Sequence, residues 1–259
     1  SFTVKRKLGS GGFSTVWLCE QANMNRSVAI KIGIYNEDLR SAIMDEMALL
    51  NCIRNADASD PHRDKVVQLL EHFTHSSGTT RDHMCFVFEP LESDLFDLMR
   101  RSNHTGIGVE KVKTVIRSVL EGLNFLHIKC QIIHMDIKPE NILVTMDSDK
   151  VKQVKIADLG NGCYTYHHFM DQIQTREYKS PEVMILGDYN SNADIWSTAC
   201  MAFECAIGGY LFQPIEGTDE KGKPYTLEAD HLAKITIRLG PIPCDVYKTG
   251  KHWDKYFNE

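Results

Sequence analysis

Ile133-His134-Met135-Asp136-Ile137-Lys138-Pro139-Glu140-Asn141 is the stretch that decides how this chain is read. It sets a carboxylate, an ammonium and a carboxamide at close, fixed spacing, and a second carboxylate follows in Asp158-Leu159-Gly160. Phosphoryl transfer needs a carboxylate near the attacking hydroxyl, a cation on the moving phosphate, and oxygen ligands for magnesium. Asp136 fits the first role, Lys138 the second, and Asn141 with Asp158 the third.

Upstream, Leu8-Gly9-Ser10-Gly11-Gly12-Phe13-Ser14-Thr15-Val16 reads as a glycine-rich loop between two strands. Gly9 and Gly11 let backbone amides approach a phosphate with no Cβ in the way. Ser14 stands where a third glycine is usual in G-x-G-x-x-G. In Val28-Ala29-Ile30-Lys31, strand alternation sets Val28, Ile30 and Ile32 on one face and Ala29 with Lys31 on the other. Taken alone, Lys31 reads equally well as a solvated strand lysine. The next segment changes that: Ile43, Glu46, Leu50 and Ile53 recur at helical spacing, so Glu46 sits in an apolar stripe. A buried charge is costly unless paired, and Lys31 is its natural partner; the alternative is that Asp45 or Glu46 lies at the stripe edge.

Composition is ordinary for a water-soluble chain: 259 residues, 42% hydrophobic and 25% charged. That length suits one large domain or two lobes. No apolar run approaches membrane-spanning length and no signal peptide precedes Ser1. The opening Ser1-Phe2-Thr3-Val4 is already strand-like and reads as the start of a trimmed chain or fragment. Eight cysteines without C-x-x-C pairs predict reduced thiols in a cytosolic or nuclear compartment. His167-His168 reads as a surface loop rather than a metal site, and Lys5-Arg6-Lys7 as a solvated face. A net charge of −6 argues against nucleic acid as a direct partner and mildly favours basic ones, or serves solubility alone.

Residues 1–88 read as strands near Val4–Leu8, Thr15–Glu20, Val28–Ile34, Val66–Phe73 and Met84–Glu89, with one helix over Asp38–Arg54. The polar run Asn55–Pro61 is a loop with a proline stop. After Glu89-Pro90-Leu91 the chain becomes mostly helical. Val109–Ile128 carries Val112, Val115, Val119, Leu123 and Leu126 at helical spacing. Ala193–Ile207 is apolar nearly all round, predicting burial in the lobe centre, with Gly208-Gly209 as its stop. Asp230–Leu239 is a further helix ended by Gly240-Pro241, and Gly217–Pro224 reads as an exposed loop.

From Leu8 onward these motifs resemble the eukaryotic protein kinases. The H-x-D-I-K-x-x-N stretch is similar to their catalytic loop and Val28-Ala29-Ile30-Lys31 to their V-A-I-K strand. More closely, the chain resembles the SR-protein kinases, which phosphorylate serines in arginine–serine repeats of splicing factors. Gly11-Gly12-Phe13-Ser14-Thr15-Val16-Trp17-Leu18, Ile53–Asp57 with Asp60-Pro61, Val66–Leu70, Ile156–Asn161 and Gln174-Thr175-Arg176 carry that likeness. Asp194-Ile195-Trp196-Ser197-Thr198-Ala199-Cys200-Met201-Ala202-Phe203-Glu204 carries it most specifically. The resemblance implies an α+β, bilobal kinase fold. Residues 1–88 form an N-lobe of antiparallel sheet plus one helix, 89–91 a hinge, and 92–259 a mainly helical C-lobe lacking its last helices. It implies ATP and Mg2+ as cofactors, arginine/serine-rich protein substrates, a monomer without membrane or direct nucleic-acid partners, and a cytoplasmic and nuclear location. Lys31, Glu46, Asp136 and Lys138 are its catalytic set; Asn141 and Asp158 hold metal. Leu8, Gly9, Ser10, Gly11, Gly12, Phe13, Ser14 and Val16 cover the nucleotide. Val16, Ala29 and Leu143 sandwich adenine, Phe88 is the gatekeeper, the Glu89 and Leu91 backbone meets adenine, and Asp94 reaches the ribose. Leu50, Leu69, His134 and Leu159 form a spine between lobes, and Asp194 holds the catalytic-loop backbone or caps its own helix.

The departures from the pattern are informative. Met135 replaces the arginine that holds an activation-loop phosphate in many kinases, so activity without such a phosphate is expected. Ser180-Pro181-Glu182 stands for A-P-E. Val144 to Ile156 is short, so the family's long insert is missing. Ile237 stands where an acidic docking residue is expected near Asp230, which predicts weak docking of arginine-rich segments. A proline-directed or dual-specificity kinase, or a kinase-like binding protein with little turnover, remains the alternative.

Overall fold

The computed structural model describes residues 1–12, 14–33, 40–76, 78, 82–167 and 173–257. Its first part is a five-stranded antiparallel sheet, β1 (Phe2–Ser10), β2 (Ser14–Gln21), β3 (Arg26–Gly33), β4 (Leu69–Ser76) and β5 (Asp82–Phe88), in the order β1-β2-β3-β5-β4. The alternation expected of β3 holds. Val28 and Ile30 are buried against Cys19, Cys85 and Val87, with Trp17 and Ile32 packed beside them. Ala29 and Lys31 face the opposite side and line a cleft.

Helix α1 (Arg40–Asn55) packs its stripe inward: Glu46, Leu49, Leu50 and Ile53 are buried. The Asp38 start expected for it lies outside the described residues. β4 begins at Leu69 rather than Val66. Val66 bridges in parallel to Ile156 and the Val67 N–H donates to the Ile156 carbonyl at 2.9 Å, so these valines serve the lower half of the molecule and not the sheet.

Below the cleft come β6 (Ser93–Asp94), α2 (Leu95–Arg101) and α3 (Val109–Asn124), which runs into a π-helical turn over Phe125–Cys130 rather than staying α-helical to Ile128. β7 (Ile132–Ile133) leads into the catalytic loop. β8 (Ile142–Asp147) and β9 (Lys150–Ile156) form a tight hairpin beside β6, and β10 (Cys163–Tyr164) pairs with β7. After α4 (Pro181–Met184), helix α5 (Asn192–Ile207) crosses the lower core. Its burial is one-sided: Ala193, Asp194, Ser197, Cys200, Met201, Glu204 and Cys205 are buried, while Ile195 and Ile207 are exposed. Gly208 ends it with φ +88°, and a Cβ there would meet the His104 carbonyl, so only glycine fits.

The segment read as an exposed loop is a small hairpin, β11 (Gly217–Thr218) with β12 (Pro224–Tyr225). Helix α6 (Leu227–Leu239) starts before Asp230 because the Thr226 hydroxyl caps it by accepting from the Ala229 N–H. Short helices α7 (Cys244–Tyr247) and α8 (Trp253–Tyr256) follow. One large core joins Leu49, Leu50, Leu69 and Phe86 from above to Val119, Leu123, Ile156, Leu159 and Met201 below. All eight cysteines are free thiols.

Candidate active site

The cleft between sheet and lower helices has a volume of about 560 Å³ and takes its lining from widely separated stretches of chain. Leu8, Gly9, Ser10, Gly11, Ser14, Val16, Ala29, Phe88, Glu89, Leu91, Asp94 and Leu143 all face it, together with Lys31, Glu46, Lys138, Asn141 and Asp158. Gly12 does not line it, and Phe13 lies outside the described residues. The turn between β1 and β2 is closed by the Gly11 N–H donating to the Ser14 carbonyl at 2.9 Å, and a Cβ on Gly9, Gly11 or Gly12 would meet nothing.

At the deep end, Lys31 Nζ donates to Glu46 Oε1 at 2.6 Å and to Asp158 Oδ1 at 2.7 Å. Burial pulls the Lys31 pKa down, but the two carboxylates outweigh it and hold the ammonium above its ordinary value. Burial raises the Glu46 carboxyl, with Lys31 opposing. Asp158 is also penalised by burial, yet Lys31 overcomes this and keeps it below the usual range. The apolar stripe therefore carries one carboxylate because one lysine reaches it.

Asp136 is 5% exposed, and both of its oxygens are engaged. Thr175 Oγ1 donates to Oδ1 at 2.6 Å; Lys138 Nζ at 2.9 Å, Asn161 Nδ2 at 3.2 Å and Asn141 Nδ2 at 3.3 Å surround Oδ2. The loop beneath is held by Asp194 on α5. It accepts from the backbone N–H groups of His134 and Met135, each at 2.8 Å, and pairs with His127 Nε2 at 2.8 Å. Asp194 sits inside the first turn of α5; Ser191 occupies the cap position, so the loop-holding role is the one realised. Leu50, Leu69, His134 and Leu159 are all buried. Asp94 lines the cleft but also caps α2 by accepting from the Asp97 N–H at 2.7 Å.

Thr175 and Asn161 are contacts to Asp136 that sequence reading did not assign. Only the return of their segments over the loop makes them neighbours. Met135, at φ +65°, points into an apolar cluster with Ile133, Cys163, Ile173, Val183 and Ala193. Beside it Gln174 does the bracing: its N–H donates to the Met135 carbonyl at 3.0 Å, its Nε2 to Ala193 O and Ser197 Oγ, and its Oε1 accepts from Ser180. Tyr178 is buried with its hydroxyl donated to Glu204, and Arg176 pairs with Glu228 on α6.

Comparison with known proteins agrees with this geometry. Residues 2–244 match the family model described as protein kinase domain. The serine/threonine-protein kinase SRPK of Physarum polycephalum is 36% identical over all of this chain and 71% of its own length. This chain belongs to the protein kinases, in their SR-protein kinase family. SRSF protein kinase 3 of Mus musculus is 28% identical over 99% of the chain and 75% of its own length. Protein kinase dsk1 of Schizosaccharomyces pombe is 28% identical over 99% and 69%. The chain spans 42% of the Caenorhabditis elegans kinase spk-1. The alignment with the mouse relative runs over 436 positions against 259 residues here, so that relative carries internal segments without a counterpart in this kinase. It is a protein serine/threonine kinase, using ATP with a divalent metal. No described helix is long and apolar enough to cross a membrane.

Proposed function

We propose that this kinase transfers phosphate from Mg2+-ATP to serines flanked by arginine, as in arginine/serine-rich splicing factors. It would work as a monomer, in cytoplasm and nucleus, with residues 1–88, 89–91 and 92–259 as its lobes and hinge. Asp136 accepts the substrate hydroxyl proton, and Lys138 and Lys31 meet phosphate oxygens. Asn141 and Asp158 fit a hard divalent ion: both offer oxygen. Asn141 spends its Nδ2 on the Asp136 carbonyl at 2.8 Å, which leaves its oxygen as the group to give. When bound, the ion neutralises phosphate charge.

The observation that supports the substrate class is an uncompensated acidic cluster beside the catalytic loop. Glu140 is exposed, and neither it nor Glu177 has an ion pair among the described residues. Both raise the pKa of Glu204, whose largest perturbation is burial. A guanidinium two residues before the serine would relieve that repulsion through bidentate bonds. Distal docking is weak: Asp230 is spent on Lys234 and the Ile215 N–H, and Ile237 beside it is 82% exposed. The test is peptide kinetics. Replacing arginine by alanine at that position should lower kcat/KM at least tenfold, on the ~1.5–3 kcal/mol scale of charged hydrogen bonds. An unchanged value, or a requirement for proline after the serine, sinks the reading.

A further inference from the structure

We propose that Lys155 is a positioning residue for ATP: it clamps the hinge and the turn after α1 onto the strand pair that floors the nucleotide cleft. Lys155 is 2% exposed, at the buried end of β9 between Val154 and Ile156. A buried ammonium is costly unless paired. This one is paired twice, to Glu89 Oε1 at 2.6 Å and Asp64 Oδ1 at 2.9 Å.

The partners belong to elements that the chain separates widely. Asp64 lies in the 3-10 turn Arg63–Lys65, which joins the helix carrying Glu46 to β4. The Val66 and Val67 bridges to Ile156 fasten that same turn to β9 through the backbone. Glu89 lines the cleft at its hinge. In the sheet register, Lys155 stands opposite Leu143, and Leu143 stands opposite Asp94. One row across three strands thus carries the ribose-side acid, the adenine floor and the buried cation. The Glu89 side chain is anchored to that cation while its backbone faces the nucleotide. Lys155 touches no reacting atom; its effect on ATP runs through the hinge peptide.

The experiment measures the affinity of the purified kinase for a non-hydrolysable ATP analogue with Mg2+, by calorimetry, beside kcat at saturating ATP. Lys155→Met should raise the analogue Kd about tenfold, within the usual range of site-to-site coupling, with kcat within about twofold. Lys155→Arg should restore most of the affinity. Glu89→Gln should also raise Kd, and the double variant should be no worse than Lys155→Met alone, because Lys155→Met has already removed the contact that Glu89→Gln breaks. Asp64 is 69% exposed at its side chain, so Asp64→Ala folds regardless and should give a smaller rise. If Lys155→Met does not fold, Glu89→Gln and Asp64→Ala still decide. Lowered stability with unchanged Kd, full additivity of the double variant, or tighter nucleotide binding in Lys155→Met would each overturn the proposal.

Discussion

Two consecutive residues of the catalytic loop face two different environments. Asp136 sits buried beside the cleft, outside its lining residues, and Lys138, Asn141, Asn161 and Thr175 converge on its carboxylate. Met135 faces the seat of the following segment, where Ile133, Cys163, Ile173, Val183 and Ala193 make an apolar plug. The first region uses charge because it must meet a phosphate and a metal. The second must only keep a segment ordered, and neutral bonds to Gln174 with apolar packing suffice. In kinases that keep an arginine at the Met135 position, the same order is bought with a phosphate. Here two hydroxyls of that segment, those of Thr175 and Tyr178, are already committed. The Thr175 hydroxyl serves Asp136 and accepts from Lys138, and the Tyr178 hydroxyl is buried against Glu204.

The charged region breaks first and hardest. Asp136→Ala should lower kcat by ~100-fold or more, the scale of a lost general base, with nucleotide affinity nearly unchanged. Retained activity in a purified preparation would end the assignment of roles. Asp158→Ala should abolish metal-dependent turnover while the protein still folds, as thermal melting would show.

The neutral seat should respond through stability. Gln174→Ala strands the buried Ser180 N–H, at a cost of about 1–3 kcal/mol, visible in denaturant unfolding before it is visible in kcat. Nearby, His231 on α6 sharpens the point. It is buried, neither ring nitrogen has a hydrogen-bond partner among the described residues, and its pKa is lowered to about 4 by burial, with Arg176, Lys179 and Lys234 adding to this and Asp230 opposing. The unfolded chain therefore binds the proton more readily than the folded one between about pH 6.5 and 4. The stability that neutral His231 contributes is complete above about pH 6.5 and is lost as pH falls toward 4, up to about 3 kcal/mol. His231→Phe should flatten that stretch of the stability–pH curve.

Two small effects close the series. Phosphatase treatment of active kinase should leave its rate unchanged, because no phosphate holds the seat; a large loss would contradict the comparison. Ile237→Glu should strengthen binding of arginine-rich peptides roughly two- to threefold, the worth of one exposed charge, and less at high salt.

Local spacing was enough to read much of this protein. The Asp136–Lys138–Asn141 set, the β3 alternation and the Glu46 stripe each depend on residues a few positions apart, and short-range geometry carries them into the structure unchanged. The partner of Glu46 was legible too, because a lone carboxylate in an apolar stripe demands a cation. Element edges were less legible. Val66 and Val67 have strand chemistry, but a backbone bond to Ile156 captured them, and the hairpin at Gly217 depends on pairing rather than propensity. Thr175, Asn161 and Lys155 acquire their roles from residues 25 to 91 positions away, and Gln174 from residues 6 to 39 positions away. The sequence by itself determined the chemistry, because a reaction dictates residue types at fixed local spacing. Only the tertiary structure decided which neutral and buried groups hold that chemistry in place, because a hydrogen bond or ion pair between distant segments leaves no periodic trace along the chain.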